Sequence, residues 1–213
     1  MMSEAAQPGN SARLGFSGGT LVLPGIPIVK LHAWFGADFW THDPRIWAAR
    51  CDAIFYATVL AELRRRHIRF NAEVAAWQEV RWKAESLHEL RREQIAAVDS
   101  WMEAGQCGCV IMPTGTGKTE VALSIMQRTK VSTLVVSPVR DLMYQWHRRI
   151  LRSLNYDAGI IGDGVFRVSP VSVTTYDSAS IHMQTLGNRF GLIIFDECHH
   201  LPGQIRRDAA RMR

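Results

Sequence analysis

The segment Cys109-Val-Ile-Met-Pro-Thr-Gly-Thr-Gly-Lys-Thr119 joins a short apolar run to a glycine-rich turn, and apolar residues at Val121 and Ile125 follow at helical spacing. The pattern predicts a buried strand over 109–112, a tight turn, and a helix that begins near Lys118. In this arrangement, backbone N–H groups of the turn and the N-terminus of the helix face a common point. The segment is therefore a candidate anion cradle.

The side chains of the turn also suit a polyphosphate. Gly115 and Gly117 allow the backbone to turn its N–H groups inward, Lys118 can reach the β and γ phosphates, and the Thr119 hydroxyl can ligate Mg²⁺. A surface turn that merely contains Gly-Lys-Thr is the alternative, but the strand before it and the apolar helix after it argue against that. The predicted phosphate-binding residues are Thr114, Gly115, Thr116, Gly117, Lys118 and Thr119.

A second group for the metal is expected at the end of another buried strand. Leu192-Ile-Ile-Phe-Asp-Glu197 supplies an apolar run that ends in two carboxylates. Asp196 is predicted to hold Mg²⁺ through its water shell, and Glu197 to polarise the attacking water as a general base. An acidic pair after a strand is otherwise common as a helix N-cap.

The sequence pattern after residue 108 is typical of an α/β fold. Short apolar or β-branched runs alternate with helical patterns, which indicates a parallel sheet with crossover helices. One helix is predicted between residues 136 and 159, with Arg148, Arg149 and Arg152 directed away from the sheet. Its sheet-facing residues are Leu142, Met143, Trp146, Ile150 and Leu154. The predicted strands are Cys109–Met112, Thr133–Val136, Gly159–Ile161, Val171–Thr174 and Leu192–Phe195.

The amino-terminal part is less regular. Residues 1–17 are polar and small and are predicted to be a flexible terminus, followed by a short strand at Leu21–Leu23. Amphipathic helices are predicted over 46–66 and 85–102. The predicted organisation is a small α+β accessory domain over 18–85 and a sheet domain over 86–213.

Composition and net charge indicate a globular protein. The 213 residues are 47% hydrophobic, enough for a substantial core, and the net charge of +5 is spread over both halves. No apolar run approaches the roughly 18 residues of a membrane span, so a cytoplasmic protein is expected.

The basic run of Arg64, Arg65, Arg66 and Arg69 fits either a solvated helix face or a binding patch. Cys51, Cys107, Cys109 and Cys198 are predicted to be reduced packing residues without structural zinc.

With Met112 in place of the first glycine of the strict pattern, Met112-Pro-Thr-Gly-Thr-Gly-Lys-Thr119 resembles the relaxed phosphate loop of superfamily-two helicases. Asp196-Glu-Cys-His199 resembles their D-E-x-H box. The resemblance implies a RecA-like P-loop domain, ATP with Mg²⁺ as the cofactors, and nucleic acid as the partner. In that family the histidine of the box, here His199, couples the nucleotide state to the motor.

Three further segments match this family in the correct order. The resemblance implies that Gln94 reads adenine, although Glu93 stands where the family often has an aromatic residue. Arg140 follows a strand that ends in Ser-Pro-Val, and the resemblance implies that it contacts a nucleic-acid phosphate. Thr174 and Thr175, in Val173-Thr-Thr-Tyr-Asp-Ser178, are expected to offer hydroxyls to the phosphate backbone. Such contacts imply binding without sequence specificity and with strong salt dependence.

From Gly18 to Gly203 the sequence is similar to DNA helicases of the xeroderma-pigmentosum group B type and their prokaryotic relatives. The similarity implies that residues 18–85 help to engage DNA and that the protein is an ATP-dependent helicase or translocase of the nucleoid. The motor part of a restriction or remodelling translocase, or a nucleotide-switched DNA-binding module, stays open. Since the sequence stops at Arg213, soon after the box, we expect a second RecA-like lobe to be missing and the fragment alone to be nearly inactive.

Overall fold

Residues 12–72, 77–83, 87 and 89–200 are described by a computed structural model of the chain. They divide into two units, one formed by 12–72 with 182–188 and the other by the described parts of 77–181 with 189–200. No helix within these residues is both long enough and apolar enough to cross a membrane.

The first unit is a five-stranded sheet with two helices. In the sheet order β3-β4-β2-β1-β5, β1 and β5 run parallel and the other neighbours run antiparallel. The core contains fully buried Leu14, Leu21 and Leu63 together with Trp40. The elements are β1 (Ala12–Ser17), β2 (Thr20–Pro24), α1 (Ile28–Phe35), β3 (Thr41–Asp43), β4 (Ala48–Asp52), a 3₁₀ turn (Ala53–Phe55), α2 (Tyr56–Arg65) and β5 (Phe70–Ala72).

Two expectations about this unit need correction. Ordered structure begins before residue 18, because β1 pairs with β2 on one side and with β5 on the other; residues 1–11 lie outside the described part. The helix expected over 46–66 is confined to α2, since Ala48–Asp52 forms β4 between β2 and β3. Ladder hydrogen bonds on both sides outweigh the weak helical periodicity of this short segment.

The second unit confirms the α/β fold class. Its sheet has the order β10-β6-β9-β7-β8, in which the first four strands are parallel and β8 is antiparallel to β7. Every residue of β6 and β9 is buried, as expected for strands covered on both faces. The elements are α3 (Arg92–Glu103), α4 (Lys118–Thr129), β6 (Thr133–Ser137), α5 (Arg140–Leu154), β7 (Gly159–Gly162), β8 (Val165–Arg167), β9 (Val171–Thr175), α6 (Tyr176–Leu186), β10 (Leu192–Phe195) and a 3₁₀ turn (Cys198–His200).

Two expectations about the second unit are also corrected. Residues 109–112 are not a buried strand: no described strand pairs with them, and Ile111 is 90% exposed. An apolar run shows that a segment can extend, but a strand exists only where a neighbour accepts its hydrogen bonds. The helix expected over 85–102 begins at Arg92, because the backbone of Arg91 is extended; 84–86 and 88 lie outside the described residues.

Parallel strands bring their carboxyl ends to one edge of a sheet, and ligands commonly bind there. Val139 and Arg140 follow β6, Asp163 follows β7, and Asp196 follows β10. Thr175 is the last residue of β9. The predicted acidic pair and the predicted nucleic-acid residues therefore belong to the same edge.

Candidate functional site

The phosphate loop has the backbone geometry expected of an anion cradle. Gly115 and Gly117 have φ values of +79° and +81°, in the left-handed region that favours glycine. Gly117 is the N-cap of α4, and Lys118 is its first residue, as the sequence predicts. The first N–H groups of a helix have no carbonyl one turn earlier to bond. The N–H groups of Lys118 and Thr119 are thus oriented for an anion, with the partial positive charge of the helix N-terminus behind them.

The side chain of Gln94 supports this loop through a hydrogen bond to its backbone. Its side-chain Nε2 donates to the carbonyl oxygen of Thr116 at 2.8 Å, and its Oε1 accepts from the backbone N–H of Arg91 at 2.8 Å. The side chain is buried, and a Cβ atom at Gly117 would lie only 2.4 Å from its Nε2. Gln94 therefore holds the loop in this structure, a role that the sequence did not indicate. The amide retains one further N–H and one further lone pair on Oε1 beyond these two bonds, and recognition of adenine by Gln94 stays a prediction.

Asp196 is fixed at the end of β10 by two aromatic side chains. Trp146 donates its indole N–H to Asp196 Oδ2 at 2.7 Å, and the Tyr176 hydroxyl donates to the Asp196 carbonyl oxygen at 2.9 Å. The ring of Tyr176 also stacks on Phe195 with centroids 6.0 Å apart. Trp146 and Tyr176 are both buried, so the carboxylate of Asp196 is oriented by the core of the unit. The sequence indicated Trp146 only as part of the sheet-facing side of a helix.

Glu197 and His199 lie close together after Asp196. Glu197 has φ of +51°, which is uncommon for a residue with a side chain, and its Oε2 lies 3.3 Å from His199 Nδ1. The side chain of Glu197 is 39% exposed and that of His199 is 68% exposed. The structure thus brings together the predicted general base and the predicted coupling histidine at the solvent-facing side of the box.

The loop helix is also tied to α5. Glu120, which directly follows Thr119, forms an ion pair with Arg149. Glu120 is mostly buried, and its Oε2 has no hydrogen-bond partner within the described residues. Arg149 was expected to face away from the sheet, and its pairing depends on how α4 and α5 pack.

Arg140 is held by an acidic residue from the neighbouring hairpin. Its Nη1 donates to Asp163 Oδ1 at 2.6 Å, and the Tyr144 hydroxyl donates to Asp163 Oδ2 at 3.0 Å. The Arg140 guanidinium, with the Tyr144 hydroxyl, holds the pKa of Asp163 below its usual range. Arg140 is the first residue of α5, where the helix dipole disfavours a cation, and the carboxylate offsets this. Asp163 and Gly164 both have positive φ, as in a type I′ hairpin turn.

An open cavity of about 740 Å³ lies beside this pair. Its lining mixes backbone turns, hydroxyl groups and charges of both signs. The lining residues are Pro138, Val139, Arg140, Asp141, Tyr144, Asp163, Thr175, Asp177 and Ser178. Arg140 and Thr175, both predicted from the sequence to contact phosphates, therefore face one cavity.

The two threonines of β9 differ in position. Thr174 is fully buried, and its hydroxyl donates to the Ile161 carbonyl oxygen at 2.7 Å. The Thr175 hydroxyl bonds the Ser178 hydroxyl at 3.1 Å and accepts from the Ser178 N–H at 3.2 Å. In this structure Thr174 stabilises the sheet, and Thr175 borders the cavity. Strand alternation places neighbouring side chains on opposite faces, but the sequence did not reveal which face each would take.

The cysteines do not share one environment. Cys51 is buried, and burial raises the pKa of its thiol to about 12. Cys107, Cys109 and Cys198 are exposed, which corrects the expectation that all four are packing residues. Cys109 Sγ lies 3.7 Å from Cys198 Sγ. The phosphate-loop segment and the D-E-C-H box thus approach each other through two thiols.

Two family models match the chain. The model of the type III restriction enzyme res subunit matches residues 87–212, more than half of the chain. The model of the xeroderma pigmentosum group B helicase damage recognition domain matches residues 14–74.

Individual relatives agree with these matches. The DNA 3'-5' translocase XPB2 of Sulfurisphaera tokodaii is 48% identical over 54% of this chain and 26% of its own length. The DNA 3'-5' helicase XPB of Mycobacterium tuberculosis is 32% identical over 60% of this chain and 26% of its own length. The chain thus spans about a quarter of the length of these relatives.

A solved structure resembles the chain in fold. The UvsW helicase from bacteriophage T4 superposes with a TM-score of 0.54 at 12% identity, covering 90% of this chain and 78% of that one. The chain belongs to the family of the type III restriction enzyme res subunit, and both of its parts are similar in sequence to helicases of the xeroderma-pigmentosum group B type.

Proposed function

We propose that this chain provides the first motor lobe of an ATP-dependent DNA helicase or translocase. The observation that carries the proposal is the phosphate loop at the N-terminus of α4, which Gln94 buttresses at Thr116. Its two left-handed glycines, the ammonium of Lys118 and the hydroxyl of Thr119 form the donor set that a triphosphate with Mg²⁺ needs.

Each residue of the site has a separate task in this proposal. Lys118 neutralises the β and γ phosphates, and the hydroxyl of Thr119 and the carboxylate of Asp196 would hold Mg²⁺, the carboxylate through the metal's water shell. The hydrogen bond from Trp146 to Asp196 Oδ2 orients the carboxylate that would hold the metal. The metal, when bound, neutralises negative charge that develops on the phosphates.

Glu197 accepts a proton from the attacking water, and a positioned base of this kind typically contributes a factor of about 10² to 10⁴ in rate. His199, beside Glu197, is assigned the role of transmitting the nucleotide state to the rest of the motor. The 3.3 Å approach of the two side chains supports this assignment, since it puts His199 in contact with the proposed base.

The cavity beside Arg140 is the proposed contact with the DNA backbone. Arg140 supplies the charge, and Thr175 and Ser178 supply the polar groups at the start of α6. Phosphate contacts position a duplex without reading its sequence, so binding is expected to be nonspecific and salt-dependent. The match of residues 14–74 to a damage recognition domain supports assigning DNA engagement to the first unit as well.

The test is DNA-stimulated ATPase activity of the full gene product. Lys118→Gln should abolish nucleotide-dependent turnover, while Lys130→Gln, at the other end of α4, should leave it unchanged. Glu197→Gln should reduce turnover by about 10² or more while nucleotide still binds, and Glu103→Gln at the exposed end of α3 is its matched control. If DNA does not stimulate turnover, the motor assignment fails. If nucleotide and DNA bind but ATP is not hydrolysed, the protein is a nucleotide-switched DNA-binding module and not a motor.

A second candidate is the motor of a restriction translocase, because the model that matches residues 87–212 describes a restriction subunit. Such a motor moves along duplex DNA without separating its strands. A forked duplex tests for strand separation, and a triplex tests for translocation along the duplex. Displacement of the third strand without separation of the fork supports the restriction-type motor, and separation of the fork supports the helicase.

A further inference from the structure

Cys109 and Cys198 are two exposed thiols that the proposed function does not use. They are 89 positions apart in the sequence, but their sulfur atoms lie 3.7 Å from each other. A disulfide needs a separation of about 2.0 Å, so the thiols have to approach by less than about 2 Å.

The local backbone favours this approach. Cys109 belongs to the segment before the phosphate loop, where no strand ladder within the described residues fixes the chain. Cys198 begins a single 3₁₀ turn. Neither sulfur is enclosed by the core, so a small oxidant reaches both. We propose that Cys109 and Cys198 form a reversible disulfide in the presence of a disulfide oxidant such as glutathione disulfide.

The reaction is a pair of thiol–disulfide exchanges. One cysteine loses its proton and attacks a sulfur of glutathione disulfide, which forms a mixed disulfide and releases one glutathione thiolate. The second cysteine loses its proton and attacks the protein sulfur of that mixed disulfide, which releases a second glutathione thiolate. The protein loses two hydrogen atoms, and one glutathione disulfide is reduced to two glutathione molecules.

The bond would connect the two halves of the candidate ATP site. Cys109 lies four residues before Pro113 at the start of the loop, and Cys198 directly follows Glu197. A covalent tie between these segments restrains the loop relative to the proposed base. The expected consequence is a reversible loss of DNA-stimulated ATPase activity, a readout that rests on the proposed function; the disulfide itself does not.

Peptide mapping without reduction tests the bond directly. Trypsin cleavage after Arg92, Lys118, Arg189 and Arg206 leaves Cys107 and Cys109 on one peptide and Cys198 on another. After treatment of the full protein with glutathione disulfide, the expected product is these two peptides joined, and dithiothreitol should separate them. Because the first peptide carries two cysteines, variants must identify the partner.

The matched variants are Cys107→Ser, Cys109→Ser and Cys198→Ser. The joined peptide should persist in Cys107→Ser and disappear in the other two, whose remaining thiol should carry glutathione instead. Oxidation should also raise the thermal unfolding temperature of Cys107→Ser but not of Cys109→Ser, since the cross-link closes a long loop. The proposal is overturned if the wild type yields only glutathione adducts, or if the joined peptide is lost in Cys107→Ser. A joined peptide with unchanged ATPase activity would support the disulfide and overturn its regulatory effect alone.

Discussion

Replacing Asp163 with asparagine should raise the affinity of the protein for DNA. In the structure the carboxylate of Asp163 binds the guanidinium of Arg140 at 2.6 Å, so a DNA phosphate has to compete with it for Arg140. Arg140 is 69% exposed and Asp163 is 33% exposed, which makes this a surface ion pair. Pairs of this kind are weak, and their loss should increase the affinity by roughly 1.4- to 5-fold. Asparagine tolerates the positive φ of residue 163, so the hairpin turn should be retained.

The assay is fluorescence anisotropy with a labelled duplex at several salt concentrations. The gain should shrink as salt rises, because interactions between exposed charges are screened. The control is Asp157→Asn, which removes the same charge at a different place. Asp157 lies just before β7, and its carboxylate pairs with Arg167. The gain should also vanish when Arg140→Gln is added. An unchanged or lower affinity for Asp163→Asn, or an equal gain for Asp157→Asn, would refute the reasoning.

Three further predictions concern other parts of the chain. Trp146→Phe removes the hydrogen bond to Asp196 Oδ2 and should lower the free energy of unfolding by about 1–3 kcal/mol, measured by thermal or urea denaturation; an unchanged stability would contradict this. Gln94→Ala leaves the Thr116 carbonyl oxygen without its donor and should weaken binding of a fluorescent ATP analogue about 5-fold or more; equal affinity would show that the loop does not need this support. Hydrogen bonds from the side chains of Arg45 and Arg50 lower the pKa of Asp43 in the folded protein, so the ionised carboxylate stabilises the fold. This contribution is fully present above the unfolded pKa of about 4 and is lost as the pH falls through the folded pKa. Urea midpoints should therefore decrease on acidification below about pH 4, less steeply in Asp43→Asn.

Four of the five strands of the second unit's sheet were predicted from sequence; β8 was missed, and the strand predicted at 109–112 does not form. Apolar or β-branched runs identified β6, β9 and β10, and every residue of β6 and β9 is buried, as expected for central strands of a parallel sheet. Residues 109–112 have the same pattern, yet no described strand pairs with them. The hydrophobic pattern indicates which segments can be buried, but a strand also requires a neighbouring strand to accept and donate its hydrogen bonds.

The first unit was predicted less well because its elements are short. Ala48–Asp52 contains two alanines, which fit a helix at least as readily as a strand, and its pairing with β2 and β3 selects the strand. The strand β1 follows a stretch of mostly small and polar residues, and it depends on β2 and β5 for its ladder. Local propensity is a weak guide where partners on both sides supply the hydrogen bonds.

The sequence by itself determined the chemistry of the candidate site: the glycines, lysine and threonine of the phosphate loop and the carboxylates after β10 follow from residue type and spacing. Tertiary structure alone decided which side chains support or compete with them. Gln94 lies under the loop, Trp146 orients Asp196, and Asp163 binds Arg140. These contacts join residues between 22 and 50 positions apart. Such partners meet only when helices and strands pack, because hydrogen bonds and ion pairs act over a few ångströms and leave no periodic trace in the sequence.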